Sequence, residues 1–208
     1  KFFPHLDGNS EYIEIEPMKI KSIVLAALIS GLGGFAFLPG ATAAEVGKFP
    51  KAGKVTKHKL CLNGTATRTV FGFEVYHVGL YVTNPSNDER VIYSDPGKKR
   101  VQIKMLRDVT GKKFESTVRK NIETNFSSAE KKKYNQELER FLDCFVDKNL
   151  PEDCVVHIDF LPGQGTQIAL SGKRLDLIKG DAFYHALLRL WIGDPPQKSV
   201  KEGLLGKA

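Results

Sequence analysis

The sequence predicts an α+β fold in which helices pack on one face of an antiparallel sheet. Three observations predict it. Strand-like segments dominate residues 55–106, two segments with helical periodicity follow up to residue 146, and strand patterns return before a last helix that starts at Asp181. The order β-rich, helix pair, β-rich, helix favours layers in which strands and helices are segregated.

Residues 1–44 are expected to lie outside this fold. Met18 is followed by two lysines, an apolar stretch, a Pro-Gly break and the small residues ATAAEVG, which is the plan of a secretory signal peptide cleaved near Ala43 or Ala44. A single membrane anchor is the alternative, because the apolar stretch just reaches the ~20 residues that a span needs. Residues 1–17 are interpreted as an upstream extension or a cloning remnant. The domain is therefore expected over residues 45–208, in the periplasm or secreted.

Three strand and turn segments precede residue 107 besides the hairpin treated next. VTKHKLCLNG, residues 55–64, predicts a strand that ends at a turn signal formed by Asn63-Gly64. Residues 84–94 predict a turn and a short helix. Residues 98–106 alternate with period two, with Val101, Ile103 and Met105 on one face, and therefore predict a strand with one apolar face.

Residues 67–82, TRTVFGFEVYHVGLYV, predict two strands folded about Gly72. If the loop has three residues, Arg68 lies directly opposite Tyr76 and shares a face of the sheet with it. If the loop has only two residues, Arg68 opposes Val75 and points away from Tyr76. The sequence leaves both pairings open.

The helical segments have recognisable ends. An apolar stripe predicts a helix over residues 110–126, and Ser127 with Glu130 fits a capping box that opens a second helix over residues 128–146. Three short strands are predicted between residues 154 and 180. The last long helix is expected to stop at Gly193, before Asp194-Pro195-Pro196, and residues 199–206 predict a short terminal helix.

Charge and composition restrict the partners. The chain carries a formal charge of +7 at pH 7, which could favour a transient contact with an anionic membrane surface. Its lysines are scattered in short groups without a recognisable nucleic-acid module, so a nucleic acid is not expected as a partner. The cysteine and histidine spacings match no zinc pattern, and neither a metal nor a cofactor is expected. Cys144 and Cys154 could form a disulfide after export, but nothing in the sequence requires it.

Arg68 is the residue whose surroundings matter most. If it pairs with Tyr76, the two share their face with Val78, Leu80 and Val82, and an arginine on such an apolar surface is costly without a negative partner. A fatty-acid carboxylate could supply that partner, with its chain along the strand. An internal Asp or Glu could do the same.

Four segments together resemble one family. They are LNGTATRTVFGFEVYHVGLYV, LRDVTGKKFESTVRKNIE, DFLPGQGTQIALSGKRL and DAFYHALLRLWIGDPPQKSVKEGLLG. In this order, over residues 60–206, the chain resembles the chalcone-isomerase-like family in its bacterial exported branch. The resemblance implies an open-faced β-sandwich with a ligand cleft between the sheet and its helices. The family contains plant enzymes that cyclise chalcones and relatives that bind fatty acids without catalysis.

The resemblance implies a ligand-binding set of Arg68, Tyr76, Phe114, Thr117 and Asn121. Arg68 stands where the enzymes carry an arginine that polarises the incipient oxyanion. Tyr76 replaces their water-ordering threonine and matches the fatty-acid-binding relatives, which hold a carboxylate with an Arg/Tyr couple. On the first helix the enzymes carry Tyr, Lys and Asn, where this sequence has Phe114, Thr117 and Asn121. Two of three catalytic residue types are absent, which argues against flavanone formation.

The sequence therefore favours an exported, non-catalytic binding protein that holds a fatty acid or similar amphipathic carboxylate through Arg68 and Tyr76. One alternative is an isomerase or intramolecular lyase that acts on a chalcone-like or enone substrate, with Arg68 as the electrophilic group. A second is an envelope structural or interaction protein with a vestigial cleft, in which Arg68 pairs with an internal acid such as Glu74 or Glu123. The oligomeric state is left open.

Overall fold

A computed structural model describes residues 45–46, 49–55 and 58–207, all of which belong to one compact unit spanning Ala41–Ala208. The predicted upstream extension, signal peptide and cleavage site near Ala43 or Ala44 lie outside the described residues. Among the described residues, no helix combines the length and apolar character that a membrane crossing needs.

The described strands form one large sheet and two short ribbons. Seven strands make the large sheet in the order β11-β10-β9-β6-β5-β4-β3, and all neighbours in it are antiparallel. The strands are β1 Glu45–Val46, β2 Phe49–Pro50, β3 Ala52–Val55, β4 His58–Val70, β5 Phe73–Val82, β6 Lys99–Met105, β7 Val109–Thr110, β8 Asn149–Leu150, β9 Val155–Leu161, β10 Gly165–Leu170 and β11 Lys173–Ile178.

The described helices begin and end close to the residues that the sequence predicted, except between residues 128 and 146. They are α1 Glu89–Ser94, α2 Gly111–Asn125, α3 Ser128–Lys133, α4 Asn135–Asp143, α5 Asp181–Ile192 and α6 Lys198–Leu204. The capping box is confirmed, because the Ser127 hydroxyl accepts from the backbone N–H of Glu130 while the Glu130 carboxylate accepts from the backbone N–H of Ser127. α5 ends with Gly193 as its C-cap, as predicted.

The helices pack on one face of the sheet, which confirms the predicted α+β architecture. Val78 and Leu80 of β5, fully buried, belong to the same core as Phe114 of α2 and Leu187 of α5. The opposite face carries a smaller apolar cluster around Tyr81.

Polar pairs accompany that small cluster on the face away from the helices. Arg100 of β6 donates two hydrogen bonds, of 2.6 and 2.7 Å, to the buried carboxylate of Asp159 on β9. Next to this pair, the ring of His157 lies 3.2 Å from the Gln102 side-chain oxygen. A buried charge is tolerated when it is paired and hydrogen-bonded, so this network holds β6 and β9 in register.

The predicted turn at Asn63-Gly64 is wrong. β4 continues through these residues, and the sheet register merely shifts between Leu62 and Gly64. The two residues are used for packing, because the Asn63 amide donates to Leu204 at 2.7 Å and accepts from the backbone N–H of Ser86 at 2.7 Å. A Cβ on Gly64 would overlap the carbonyl oxygen of Gly203. The Asn-Gly pair therefore marks the close approach of α6 to the strand.

The prediction of a single helix over residues 128–146 is also wrong. Tyr134 leaves helical geometry, with φ −103° and ψ 19°, and separates α3 from α4. Its ring lies 5.9 Å from that of Phe183 on α5. α4 then ends at Asp143. The apolar stripe was continuous in sequence, so periodicity alone did not reveal this break.

Candidate functional site

The β4–β5 turn places Arg68 and Tyr76 side by side. Phe71 and Gly72 form a two-residue loop with φ values of 49° and 82°, the positive values of a type I′ hairpin. Val70 pairs with Phe73, but a register shift at Val75 then brings Arg68 opposite Tyr76. The expectation that a two-residue loop turns Arg68 away was wrong, because a β-bulge adds one residue to β5 and restores the pairing.

Arg68 has no carboxylate partner among the described residues. Its Nη1 donates to the Thr69 carbonyl at 2.7 Å and to the Gln197 side-chain oxygen at 3.0 Å, and the guanidinium makes no other hydrogen bond there. The internal acids considered from the sequence do not reach it. Glu74 is exposed, and Glu123 pairs with Lys131. Three of the five guanidinium N–H donors, on Nε and Nη2, thus remain available.

Gln197 fixes this arginine and was missed from the sequence. Its side-chain oxygen accepts from the backbone N–H of Thr69 at 2.8 Å as well as from Arg68, and its amide donates to the Thr67 carbonyl at 3.0 Å. The linker between α5 and α6 carries Gln197 over the end of β4. The only sequence signal was its place directly after Pro195-Pro196, which indicated a helix stop and nothing more.

Asn125 anchors the start of that linker. Its amide donates to the Asp194 carbonyl at 2.9 Å, and its side-chain oxygen accepts from the Asp194 backbone N–H at 2.8 Å. A Cβ on Gly193 would lie 2.6 Å from the same Asn125 oxygen, so the linker can approach α2 this closely only with glycine there.

Tyr76 supplies a neutral phenol beside the guanidinium. Burial raises the pKa of Tyr76 to about 12, and the Arg68 charge and the indole of Trp191 offset this rise only in part. The phenol therefore stays protonated at neutral pH and can donate a hydrogen bond. Trp191 of α5 is buried and also borders the site.

The three predicted residues on α2 face the same space in different ways. Phe114 is buried and packs against Phe145 with ring centroids 4.9 Å apart. Thr117 is exposed, and its hydroxyl donates back to the Lys113 carbonyl at 2.8 Å. The Asn121 amide donates to the Leu190 carbonyl at 2.9 Å, so this asparagine is used to attach α2 to α5.

All five residues of the predicted ligand-binding set, which are Arg68, Tyr76, Phe114, Thr117 and Asn121, line one cavity of about 550 Å³. It lies between the end of the sheet, α2, α5 and the linker to α6. Its volume is within the ~300–1,000 Å³ of small-molecule sites. Its walls are mainly apolar, with contributions that include Val75, Ile103, Met105, Val118, Leu190 and Val200.

The cavity can hold an anion and an apolar chain, and among the described residues no hydrogen bond or ion pair joins an acidic to a basic side chain of its lining. The titratable side chains among the described lining residues are Arg68, Tyr76, Arg107, Asp108 and Lys113. Asp108 is the one carboxylate, and it already accepts from the backbone N–H of Glu152 at 2.8 Å. In the part of the chain that the structure describes, no group of His, Cys, Asp and Glu side chains could hold a metal ion.

The cysteines lie apart from this chemistry. All three are free thiols in the structure, with Cys61 exposed and Cys144 and Cys154 buried. Burial raises the pKa of the Cys144 thiol to about 11, which makes it a poor nucleophile at neutral pH.

Comparisons with known proteins agree with this fold. A family model described as chalcone isomerase-like matches residues 41–206. Among solved structures, the chain is similar to a fatty-acid binding protein of Arabidopsis thaliana, with a TM-score of 0.58 and 17% sequence identity over 76% of this chain and 90% of that chain. A search of curated proteins gave no match. At this identity the structural likeness supports the fold alone, as an antiparallel sheet with helices.

Proposed function

This chain belongs to the chalcone isomerase-like family, and on that premise we propose that it is a non-catalytic binding protein for a fatty acid or similar amphipathic carboxylate. The observation that carries the proposal is Arg68, a cation with spare donors that lines an apolar cavity and has no carboxylate partner among the described residues. A guanidinium that is partly removed from water is costly unless an anion meets it.

The head group and the chain of such a ligand find different partners. A carboxylate accepts hydrogen bonds from Arg68 and from the protonated Tyr76 phenol, and charge-assisted bonds of this kind are the stronger ones. The acyl chain gains from contact with side chains such as Met105, Phe114 and Val118. The similar structure from Arabidopsis thaliana is that of a fatty-acid binding protein, and we carry this ligand class over to the chain as part of the proposal.

Catalysis has less support. A lone arginine can stabilise a developing oxyanion, but Phe114 and Thr117 offer neither a proton donor nor a cation at the two helix positions where the enzymes carry Tyr and Lys. We further propose that binding takes place after export, because residues 18–44 carry the signal-peptide pattern. The contact with a membrane surface that the net charge suggested stays a prediction.

The experiment compares the wild type with Arg68→Ala, purified without detergent, by native mass spectrometry and by titration with a fatty acid. Loss of a hydrogen-bonded charge pair worth ~1.5–3 kcal/mol predicts that the Kd rises about 10- to 150-fold. Arg174→Ala is the matched control, since Arg174 is an exposed arginine on the edge strand β11. Equal affinity in Arg68→Ala and the wild type, or a protein that ignores added fatty acids, contradicts the proposal. Turnover of an enone substrate that depends on Arg68 points to the isomerase instead.

A further inference from the structure

The tip of the β4–β5 hairpin exposes apolar side chains at the mouth of the cavity. Val70, Phe71 and Phe73 are 36%, 94% and 61% exposed, and they are three of the four exposed large apolar side chains among the described residues. All three line the cavity. A clustered exposed apolar surface on a soluble domain marks an interaction site.

The backbone at Phe71 makes this exposure harder to explain as an accident. Its φ of 49° lies in the left-handed region, where asparagine and glycine are preferred and a bulky residue is strained. At 94% exposure the ring adds nothing to the core. Neither turn geometry nor burial accounts for a phenylalanine here. Backbone strain that brings no structural benefit indicates a function.

Cationic side chains flank these rings. The Arg107 guanidinium lies 5.0 Å from the ring centroid of Phe73, and Lys113, in the first turn of α2, lines the same mouth. Both are exposed, and neither forms an ion pair with a described residue. Glu74, the carboxylate of the hairpin, does not line the cavity. Asp108 does line it, and its carboxylate accepts from the backbone N–H of Glu152 at 2.8 Å.

We propose that this mouth rim, formed by Val70, Phe71, Phe73, Arg107 and Lys113, docks on an anionic lipid bilayer and opens the cavity towards it. The inference rests on the proposed function, because it names the membrane as the source or acceptor of the cavity's amphipathic ligand. Phe71 enters the interface between head groups and acyl chains, and the two cations contact anionic head groups.

The chemistry of the rim fits a bilayer better than a protein partner. Aromatic side chains favour the membrane interface, and basic residues beside them are attracted to anionic lipids within a Debye length. The rings lie at the tip of the hairpin, on the edge of the cavity. Docking also brings the cavity opening to the place where an acyl ligand is dissolved.

The test is flotation of the full exported domain with vesicles that contain no free fatty acid. Vesicles of phosphatidylcholine with roughly a third phosphatidylglycerol are compared with pure phosphatidylcholine, since anionic lipid attracts basic side chains. We expect the wild type to float with the anionic vesicles. Phe71→Asn should reduce the bound fraction about tenfold by removing the aromatic ring from the interface, and Arg107→Gln with Lys113→Gln should reduce it similarly.

Two controls distinguish vesicle binding by the mouth rim from binding by any positive charge or any exposed apolar side chain. Val91→Asn removes the fourth exposed apolar side chain, on α1, and Lys59→Gln removes a charge at the other end of β4. Both should bind vesicles as the wild type does. Phe71→Asn should also unfold at an equal or higher urea concentration, because asparagine suits the left-handed position. Weaker vesicle binding in this variant therefore cannot come from lost folding.

Some results would overturn the docking proposal, and others distinguish it from the proposed function. No flotation with anionic vesicles, unchanged binding of Phe71→Asn, or an equal loss in Lys59→Gln overturns the proposal. Capture of a protein by the rim in a detergent-free extract, with no vesicle binding, also overturns it. The Arg68→Ala variant distinguishes the two proposals, since it should lose fatty-acid binding and retain vesicle binding. If fatty-acid binding fails in the wild type while rim-dependent flotation persists, the proposed function fails and the docking surface stands.

Discussion

Replacing Gln197 with glutamate should block the anion site from within the protein. The two side chains have nearly the same shape, and the Gln197 side-chain oxygen already lies 3.0 Å from Arg68 Nη1 and 2.8 Å from the backbone nitrogen of Thr69. Glutamate keeps both acceptor roles and adds a negative charge. Arg68 then has an internal carboxylate, and a ligand carboxylate must compete with it for the guanidinium.

The size of the effect follows from the hydrogen bonds concerned. Bonds to charged groups are worth ~1.5–3 kcal/mol, so Gln197→Glu should raise the Kd of a fatty acid about 10- to 150-fold. The free energy of unfolding should fall modestly, because the carboxylate oxygen that takes the place of the amide nitrogen lies against the Thr67 carbonyl and cannot donate to it. The variant loses the amide's bonds to Thr67 and Ser199, each worth ~1 kcal/mol, and gains an ion pair with Arg68 that partly replaces them.

The assay is displacement of a fluorescent fatty acid at pH 8, repeated with a fatty alcohol of the same chain length. The alcohol carries no charge, so its affinity should change less than about threefold, or under ~1 kcal/mol. Gln197→Met is the uncharged control. It removes the amide's bonds to Thr67 and Ser199, as glutamate does, and also the bonds that the side-chain oxygen accepts from Arg68 and Thr69. Because it adds no charge, it should weaken fatty-acid binding less than glutamate does. Unchanged fatty-acid affinity in Gln197→Glu refutes the assignment of Arg68 as the carboxylate partner. Equal losses for acid and alcohol indicate a collapsed cavity.

Three further predictions concern folding and ionisation. Gly64→Ala should lower the free energy of unfolding by ~3 kcal/mol or more, because its Cβ overlaps the Gly203 carbonyl, whereas Gly79→Ala meets a movable ring at 3.1 Å and should cost less in urea unfolding. Equal costs contradict this packing. Burial, and secondarily a neighbouring arginine, lowers the pKa of His157 from 6.5 to about 4. The stability contributed by the neutral ring is therefore complete above pH 6.5 and lost as the pH falls towards 4, by ~1–2 kcal/mol after allowance for partial exposure. His157→Gln should flatten this slope, and an unchanged slope contradicts the assignment. Tyr76→Phe should raise the fatty-acid Kd roughly fivefold, the equivalent of ~1 kcal/mol. In the wild type, affinity should not fall around pH 10 through loss of the phenol proton, because the pKa of Tyr76 is about 12.

Periodicity and caps were sufficient to predict the layers of the fold. The apolar faces of β6 and α2 are read directly from residue spacing, and Gly193 and the capping box at Ser127 fixed helix ends. These features depend on neighbours within a few residues. The Asn63-Gly64 turn failed for the opposite reason, since those residues respond to α6, about 140 positions later in the chain.

The candidate site was predictable only in part. The sequence singled out Arg68 and Tyr76, and the structure places both at the cavity, but their pairing depends on a bulge at Val75 that has no sequence signal of its own. Gln197 could not be found, because its role depends on where a proline-containing linker crosses β4. Whether the predicted residues bind a ligand remains a prediction.

The distribution of polar groups around the cavity restricts the kind of molecule that it suits. The donors inside the cavity, Arg68 and Tyr76, come from the sheet, and the cations Arg107 and Lys113 belong to the mouth rim. The inner α2 wall offers Phe114 and an Asn121 whose amide already donates to Leu190. A ligand that places a second polar group against this inner α2 wall would bury that group without a partner, which costs ~1–3 kcal/mol. A ligand with one anionic end and an apolar body avoids this cost. Phe114, which the family resemblance places where the enzymes carry a tyrosine, therefore also gives this wall of the cavity an apolar side chain.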